Sequence, residues 1–479
     1  MNATCLLAAL PILAGAVPTA TASAAQPPTE VLFFLDAEDY TDPDTADSIK
    51  RFADLFAEEG VKAHFAIVGF LADQLVRWGR QDVLASLRPH LVGTQTMYHS
   101  RHPDICEITD VEDFSLAYHR VFDEERRARD AVRSATGGMD VWCAVPPGDS
   151  KSYAAYYAWA DLGIPFVCDT VVWNRAGDDL WYCNIRQLRY DESIEWLIPG
   201  IAKNPPAVAE MLDAASRRPR AVFYAHPHIA VRTVHWDAVN YNRTNSVPWG
   251  EWKPTPRRST ADTETYFSRV RDFVRTVKGD PRFILTDLSR LPPPRPRVPI
   301  KRADLPRVKA SLEKSLGPVD EPASWCVADV FQAVVGFLRG EGERTPGKVY
   351  GFLSAPRGVA APAKVSRADL VHAAKSIDLS AFLPPAIRVG KLEIGPADFL
   401  FAALEALTTD ANEITVMPRE QLGNLDDLPE LKSFRLKGTW VHTPGLEDRY
   451  LSDRMRLQLW TLRRERSCKF ASDVNGLQH

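Results

Sequence analysis

Three groups of side chains in this 479-residue sequence have the types and spacing of reactive chemistry. Asp36, Glu38 and Asp39 fall within four residues, directly after the apolar run VLFFL at 31–35. Three like charges that close repel one another and raise a carboxyl pKa unless a cation or a donor offsets them. A divalent metal would do so; an acidic loop capping the next helix is the other explanation. The segment GTQTMYHSRHPD at 93–104 places His99 and His102 beside Asp104, after the strand-like Leu91-Val92. Imidazole and carboxylate are ordinary zinc ligands, and with an open position they activate water. Such a histidine pair is also common in exposed loops. Finally, His226-Pro227-His228 comes after AVFYA at 221–225. A histidine at a strand end serves as a general acid or base, or as a satisfied structural residue.

What must position these groups is a series of apolar runs alternating with helical patterns. The runs are VLFFL (31–35), HFAIVG (64–69), VWCAV (141–145), FVC (166–168), AVFYA (221–225) and FILT (283–286). Between them lie ADSIKRFADLFAEEG and helical patterns near 111–134, 154–162, 207–216 and 263–277. Strands buried on both faces and separated by helices imply a parallel sheet, closed or nearly closed into a barrel. In such barrels chemistry sits at the C-terminal strand ends, where all three groups fall.

The composition, 45% hydrophobic and 25% charged, is that of a globular protein rather than a disordered or polytopic membrane chain. Lys+Arg 58 against Asp+Glu 62 leaves a net charge of -4, so no basic field exists to hold nucleic acid. Residues 1–24 read as a signal peptide: CLLAALPILAGAV is too short and too broken to span a bilayer, and Ala22-Ser23-Ala24 offers a cleavage site. The mature chain is then expected to be secreted or periplasmic, in the cell envelope, with no integral membrane segment. Disulfides among Cys106, Cys143, Cys168 and Cys183 are open to an exported chain.

In the order and placement of the three groups, residues 27–290 resemble the polysaccharide deacetylase family, the NodB-homology group of carbohydrate esterases. Asp36, Glu38 and Asp39 match the Asp-x-Glu-Asp that ends the first strand in one branch of it. A histidine pair four residues apart is matched by His99, with Gln95 in the first place; Ser100, His102 and Pro103 match a Ser-x-His-Pro tail. Val145-Pro146-Pro147 resembles the family's Arg-Pro-Pro, Asp169 to Trp173 its Asp-Ser-x-Asp-Trp, and Tyr224-Ala225-His226 its Leu-x-His.

The resemblance implies an α/β fold with a distorted (β/α) barrel, and an exported metal-dependent hydrolase that removes acetyl groups from a glycan or cell-wall polysaccharide. It implies a divalent ion, zinc first, held by Glu38 or Asp39 with His99 and either Gln95 or His102. Asp36 would be the base and His226 the acid, oriented by Asp169; Trp173, Pro147 and His228 would line the substrate. Gln95 is a weaker ligand than imidazole, Val145 cannot orient a carboxylate, and Val172 lacks an acid. Those departures point to the alternative, a degenerate deacetylase fold that binds carbohydrate or cell wall. A hydrolase of non-sugar amides on the same barrel is a third reading. Eight of the 12 tryptophans lie between 142 and 252, suiting a sugar surface or plain packing. The long aromatic segment 228–254 is placed to cover the barrel mouth.

A proline-rich stretch, 291–306, reads as an extended linker. Beyond it, 307–416 reads as a small, mainly helical binding module in which Ala-Asp followed by an apolar residue recurs at Ala328, Ala368 and Ala397. Part of it is faintly similar to pseudomurein-binding repeats. Residues 417–479 form an extension with no assignable chemistry.

Overall fold

The computed structural model describes residues 27–148, 150–168, 179–189, 192–201, 207–240, 247–292, 297–423, 436 and 441–465. The expected signal segment, Asp169 and Trp173 lie outside the described residues. The first half is built from β1 (Thr29–Ala37), β2 (His64–Ile67), β3 (Leu91–Thr94), β4 (Val141–Ala144), β5 (Phe166–Cys168), β6 (Asp179–Tyr182), β7 (Ile185–Leu188), β8 (Glu192–Ser193), β9 (Arg220–Ala225) and β10 (Phe283–Leu285). With them run α1 (Ala46–Glu58), α2 (Gly69–Arg77), α3 (Gln81–Ser86), α4 (Ile105–Thr109), α5 (Phe114–Ala135), α6 (Tyr153–Asp161), α7 (Val208–Ala215) and α8 (Thr260–Gly279). The second half holds α9 (Leu305–Lys314), α10 (Val327–Leu338), β11 (Ala363–Ser366), α11 (Arg367–Ser376), β12 (Ile387–Val389), β13 (Leu392–Ile394), α12 (Pro396–Thr408), β14 (Glu413–Val416), α13 (Leu451–Leu457) and β15 (Arg463–Glu465).

One sheet runs β15-β6-β7-β5-β4-β3-β2-β1-β9-β8, with β10 beside the start of β1. Its centre, from β5 through β1 to β9, is parallel, as the βα alternation requires. The expected barrel curls but does not close: among the described residues the path ends at β8 and β15, and no ladder joins them. The continuous apolar runs arise from burial of both faces. Along β1, Val31, Phe33 and Leu35 pack outward with the helices, while Leu32 and Phe34 pack inward with Ala66, Cys143, Phe166, Cys168 and Val222. Gly93 is needed where β3 meets β4, since a Cβ there would lie 2.8 Å from the Cys143 carbonyl oxygen. The five described cysteines (Cys106, Cys143, Cys168, Cys183, Cys326) are all free and buried, so none of the pairings open to an exported chain forms.

His64 braces the inner face. Its ring stacks on Phe34 at 4.4 Å, one nitrogen bonds the Phe33 carbonyl at 2.9 Å, and the other accepts Leu288 N–H at 2.9 Å. That arrangement needs the neutral ring, and burial lowers its pKa from 6.5 to about 4. Because the folded value is depressed, the unfolded chain binds the extra proton first, and stability falls as pH drops from 6.5 towards 4. The expected loss is about 1.4 kcal/mol per pH unit, about 3 kcal/mol in all. Urea unfolding across this range should show the wild type losing that much more than His64→Gln, whose amide does not titrate. Parallel profiles would refute the assignment.

The second half has its own core, from Ile300 to Trp460. The repeated Ala-Asp has a local cause: each Asp sits in the first turn of a helix. Asp329 accepts from Cys326 N at 3.0 Å, Asp369 from Ser366 Oγ at 2.7 Å, and Asp398 from Gly395 N at 3.1 Å. The apolar residue after each, Val330, Leu370 or Phe399, is fully buried. Asp398 also accepts from Val359 N and Gln421 Nε2, so Asp398→Ala should cost about 2 kcal/mol in urea unfolding. The stretch expected to be extended to residue 306 ends earlier. The α9 helix begins at Leu305, and Pro306 occupies its first turn, where a missing N–H costs nothing. Residues 441–465 return to the first half. There β15 pairs with β6, Arg454 donates to Tyr153 Oη at 2.8 Å, and Tyr157 donates to Gln458 at 2.8 Å.

Candidate active site

Parallel strands of one sheet deliver the reactive side chains to one edge. Asp36 and Glu38 close β1, Gln95 comes after β3, Glu195 after β8 and His226 after β9. His99 is four residues beyond Gln95, in a turn where Thr96 (φ 60°) and His99 (φ 55°) take left-handed backbone. Such backbone costs about 1–3 kcal/mol per residue and persists only where surroundings impose it. Here Thr96 Oγ1 accepts the His99 N–H at 3.0 Å.

Glu38 is the centre. Its Oε1 accepts from Gln95 Nε2 at 3.0 Å and lies 3.2 Å from His99 Nε2 and 3.3 Å from His226 Nε2. Its Oε2 accepts from Trp236 Nε1 at 3.1 Å. Behind His226, Glu195 Oε1 accepts from both the ring Nδ1 at 2.6 Å and the backbone N–H at 2.9 Å. Asp36 Oδ2 is 3.7 Å from His226 Nε2.

These contacts fix a proton inventory. A neutral imidazole has one N–H, and His226 commits Nδ1–H to Glu195. Its Nε2 would then face Glu38 as lone pair against lone pair unless a second proton or a cation lies there. Burial pushes His226 down, but the charges of Glu38 and Glu195 outweigh it and hold the ring well above the usual histidine value. His99 is raised too, Glu38 overcoming burial. Burial pushes Glu38 up, but His99 and His226 pull it well below the carboxylate range. Burial raises Glu195 as well, and His226 brings it down to about 2. Glu38 and His99 side chains are only 3% and 1% exposed, against 17% for His226 and 15% for Glu195. A ligand would therefore approach over His226.

The donor set fits a divalent ion. A Glu38 carboxylate oxygen 3.2 Å from the His99 imidazole Nε2 offers two ordinary zinc ligand types, with His226 left free to carry a proton. Gln95 Oε1 adds a buried oxygen with no hydrogen-bond partner among the described residues. Around Glu38, the group of described residues whose ligand atoms lie within 4.8 Å of one another is Glu38, His226 and His235; His99 reaches Glu38 but is not part of that group.

Of the residues singled out from sequence, Asp36, Glu38, Gln95, His99 and His226 come together. Asp39 does not join them as a ligand. Its Oδ1 accepts from Thr41 N and Oγ1, and burial raises its pKa to about 6. His102 turns to Glu107, with Nδ1 2.6 Å from Oε2, in a different cluster. Pro147 and His228 are buried; His228 Nε2 meets His235 Nδ1 at 3.3 Å, and burial holds its pKa well below the usual value. Glu195 orients His226; Asp169, expected in that role, lies outside the described residues.

Sequence reasoning missed Glu195 and Asp237, and took Trp236 only as one of the clustered tryptophans suited to a sugar surface or plain packing. Glu195 offered no usable signal, because the strand before it, β8, is two polar residues long. Trp236 and Asp237 belong to the segment expected to cover the mouth, and they do reach the site. Trp236 is fully buried against Tyr40 (4.5 Å) and Trp252 (5.6 Å), and Asp237 Oδ2 accepts from Ser100 Oγ at 2.7 Å. Of the other clustered tryptophans, Trp159 is core, its Nε1 donating to Glu125 at 2.7 Å.

No family model matches the chain, and no curated protein matches it. Solved structures overlap it at low identity. The 4-alpha-glucanotransferase from Thermococcus litoralis is 12% identical over 56% of this chain and 41% of that one, with a TM-score of 0.39. The family 4 carbohydrate esterase from Streptomyces lividans is 14% identical over 54% of this chain and 92% of that one, with a TM-score of 0.31. A CE4 family pseudoenzyme from Bacillus anthracis is 12% identical over 54% and 70%, with a TM-score of 0.29. The chain thus spans less than half the length of the glucanotransferase it overlaps.

Proposed function

We propose that the chain is a cell-envelope hydrolase that removes acetyl groups from a glycan with the help of a divalent cation. One observation carries this reading: Asp36, Glu38, His99 and His226 converge from three strand ends, with Glu195 holding His226 from behind. Glu38, His99 and Gln95 would hold the cation. When bound, it would polarise the acyl carbonyl and acidify a water molecule. Asp36 takes the proton of the attacking water. His226, kept charged between two carboxylates, gives a proton to the departing amine or alcohol as the carbonyl–heteroatom bond breaks, so that acetate and the free sugar group leave. Glu195 fixes the His226 ring orientation and tautomer. The reading of residues 1–24 as a signal peptide is what supports the envelope location.

A second reading, a carbohydrate-binding protein without hydrolysis, draws on Trp236 and Gln95, which already engage both oxygens of Glu38. Acetate release from a panel of N- and O-acetylated glycans, with added zinc, cobalt or manganese and with chelator, separates the two. Metal-dependent release supports the hydrolase. Glycan binding with no release under any metal supports the binder and refutes the hydrolase.

A further inference from the structure

The loop beyond His99 carries another cluster that the proposed reaction does not use. Asp104 is shared by two sets whose ligand atoms lie within 4.8 Å of one another: Asp104, Cys106 and His442, and His102, Asp104 and Glu107. Asp104, Cys106 and His442 are all at least 98% buried. His442 Nδ1 is 2.6 Å from Asp104 Oδ2, although the two residues are 338 positions apart in sequence. The other ring nitrogen, His442 Nε2, is buried with no hydrogen-bond partner among the described residues. Orphaning a buried polar atom is costly, and a cation bound at that nitrogen, with Nδ1–H kept on Asp104, would remove the cost.

We propose that Asp104, Cys106 and His442 form a structural zinc site that clamps residues 441–465 onto the loop after β3, with His102 or Glu107 as the fourth donor. Mixed sulfur, nitrogen and oxygen donors select zinc over magnesium or calcium, which take oxygen sets. Charge favours it as well. A doubly charged ion with one carboxylate, one thiolate and neutral imidazoles sums to zero charge in a buried place when His102 is the fourth donor, and the Cys106 thiol proton leaves to solvent. The clamp falls where the two segments already interlock, through Thr443 N to Glu107 at 3.0 Å and Tyr450 N to Asp110 at 2.8 Å. A cross-link between points so distant along the chain closes a long loop and restrains the unfolded state. The inference does not rest on the deacetylase reading.

The test uses the full chain with Cys5 and Cys468 replaced by Ser, stripped with chelator and refilled with cobalt(II). The expected result is a thiolate-to-cobalt charge-transfer band in the near ultraviolet and a Tm above that of the stripped protein. Cys106→Ser should abolish the band, and His442→Ala should abolish or weaken it. The double variant Glu38→Gln, His99→Ala should keep it, which separates this site from the first. Cobalt uptake without the band, or a band unchanged in Cys106→Ser, overturns the proposal. If Cys106→Ser does not fold, an undiminished band in His442→Ala overturns it equally.

Discussion

Replacing His226 with Ala should lower acetate release from an acetylated glycan by about 10²–10⁴-fold, and Asp36→Asn should do the same, with KM changed far less than kcat. The reason is geometric. These are the two groups at the strand ends that can pass a proton in opposite directions within one small space, Asp36 Oδ2 and His226 Nε2 being 3.7 Å apart. Glu195→Gln should have a smaller effect but a diagnostic one. Glu195 is one of the two charges that raise His226, so its removal lowers the pKa of the acid. The acid form is then lost sooner as pH rises, and the basic limb of the kcat profile moves to lower pH. A merely structural Glu195 would reduce activity without moving that limb. Unchanged acetate release in both Asp36→Asn and His226→Ala would end the catalytic account.

The parts of this site legible in the sequence are those fixed by strand periodicity. A buried apolar run must end, and the polar residues after it must emerge at the sheet edge. That logic locates Asp36 and Glu38 at the end of β1, Gln95 after β3 and His226 after β9. It fails for Glu195 because β8 is only two residues long, too short to carry an apolar signature. It also misplaces His102. The left-handed backbone at His99 redirects the chain, and the pairing with Glu107 at the start of α4 takes the ring to another cluster. Whether the curled sheet closes, which it does not among the described residues, and the return of β15 to β6 depend on pairing between distant segments, which no local pattern encodes. Conversely, the Ala-Asp spacing is plainly visible, but its cause is the demand of three helix starts for an acceptor rather than a duplicated function.

Glu38→Ala should destabilise the fold by about 3–5 kcal/mol, read as a lower urea midpoint at unchanged m. The magnitude comes from the groups that the carboxylate leaves behind. Trp236 Nε1 and Gln95 Nε2 lose their acceptor in a closed environment, at about 1–3 kcal/mol for each buried orphan. His99 and His226 also lose the charge that offsets their burial. His226 keeps Glu195, which caps the loss below that of an isolated buried charge. A catalytic carboxylate that were only a ligand, strained in the absence of its metal, would behave oppositely, since its removal would relax like-charge repulsion and raise stability. The sign of the change therefore separates a Glu38 that organises the site from one that waits for a cation. Saturating zinc should raise the wild-type midpoint through binding to the folded state. With Cys106→Ser as the common background, that increment should vanish in Glu38→Ala, and its persistence there would remove Glu38 from the donor set.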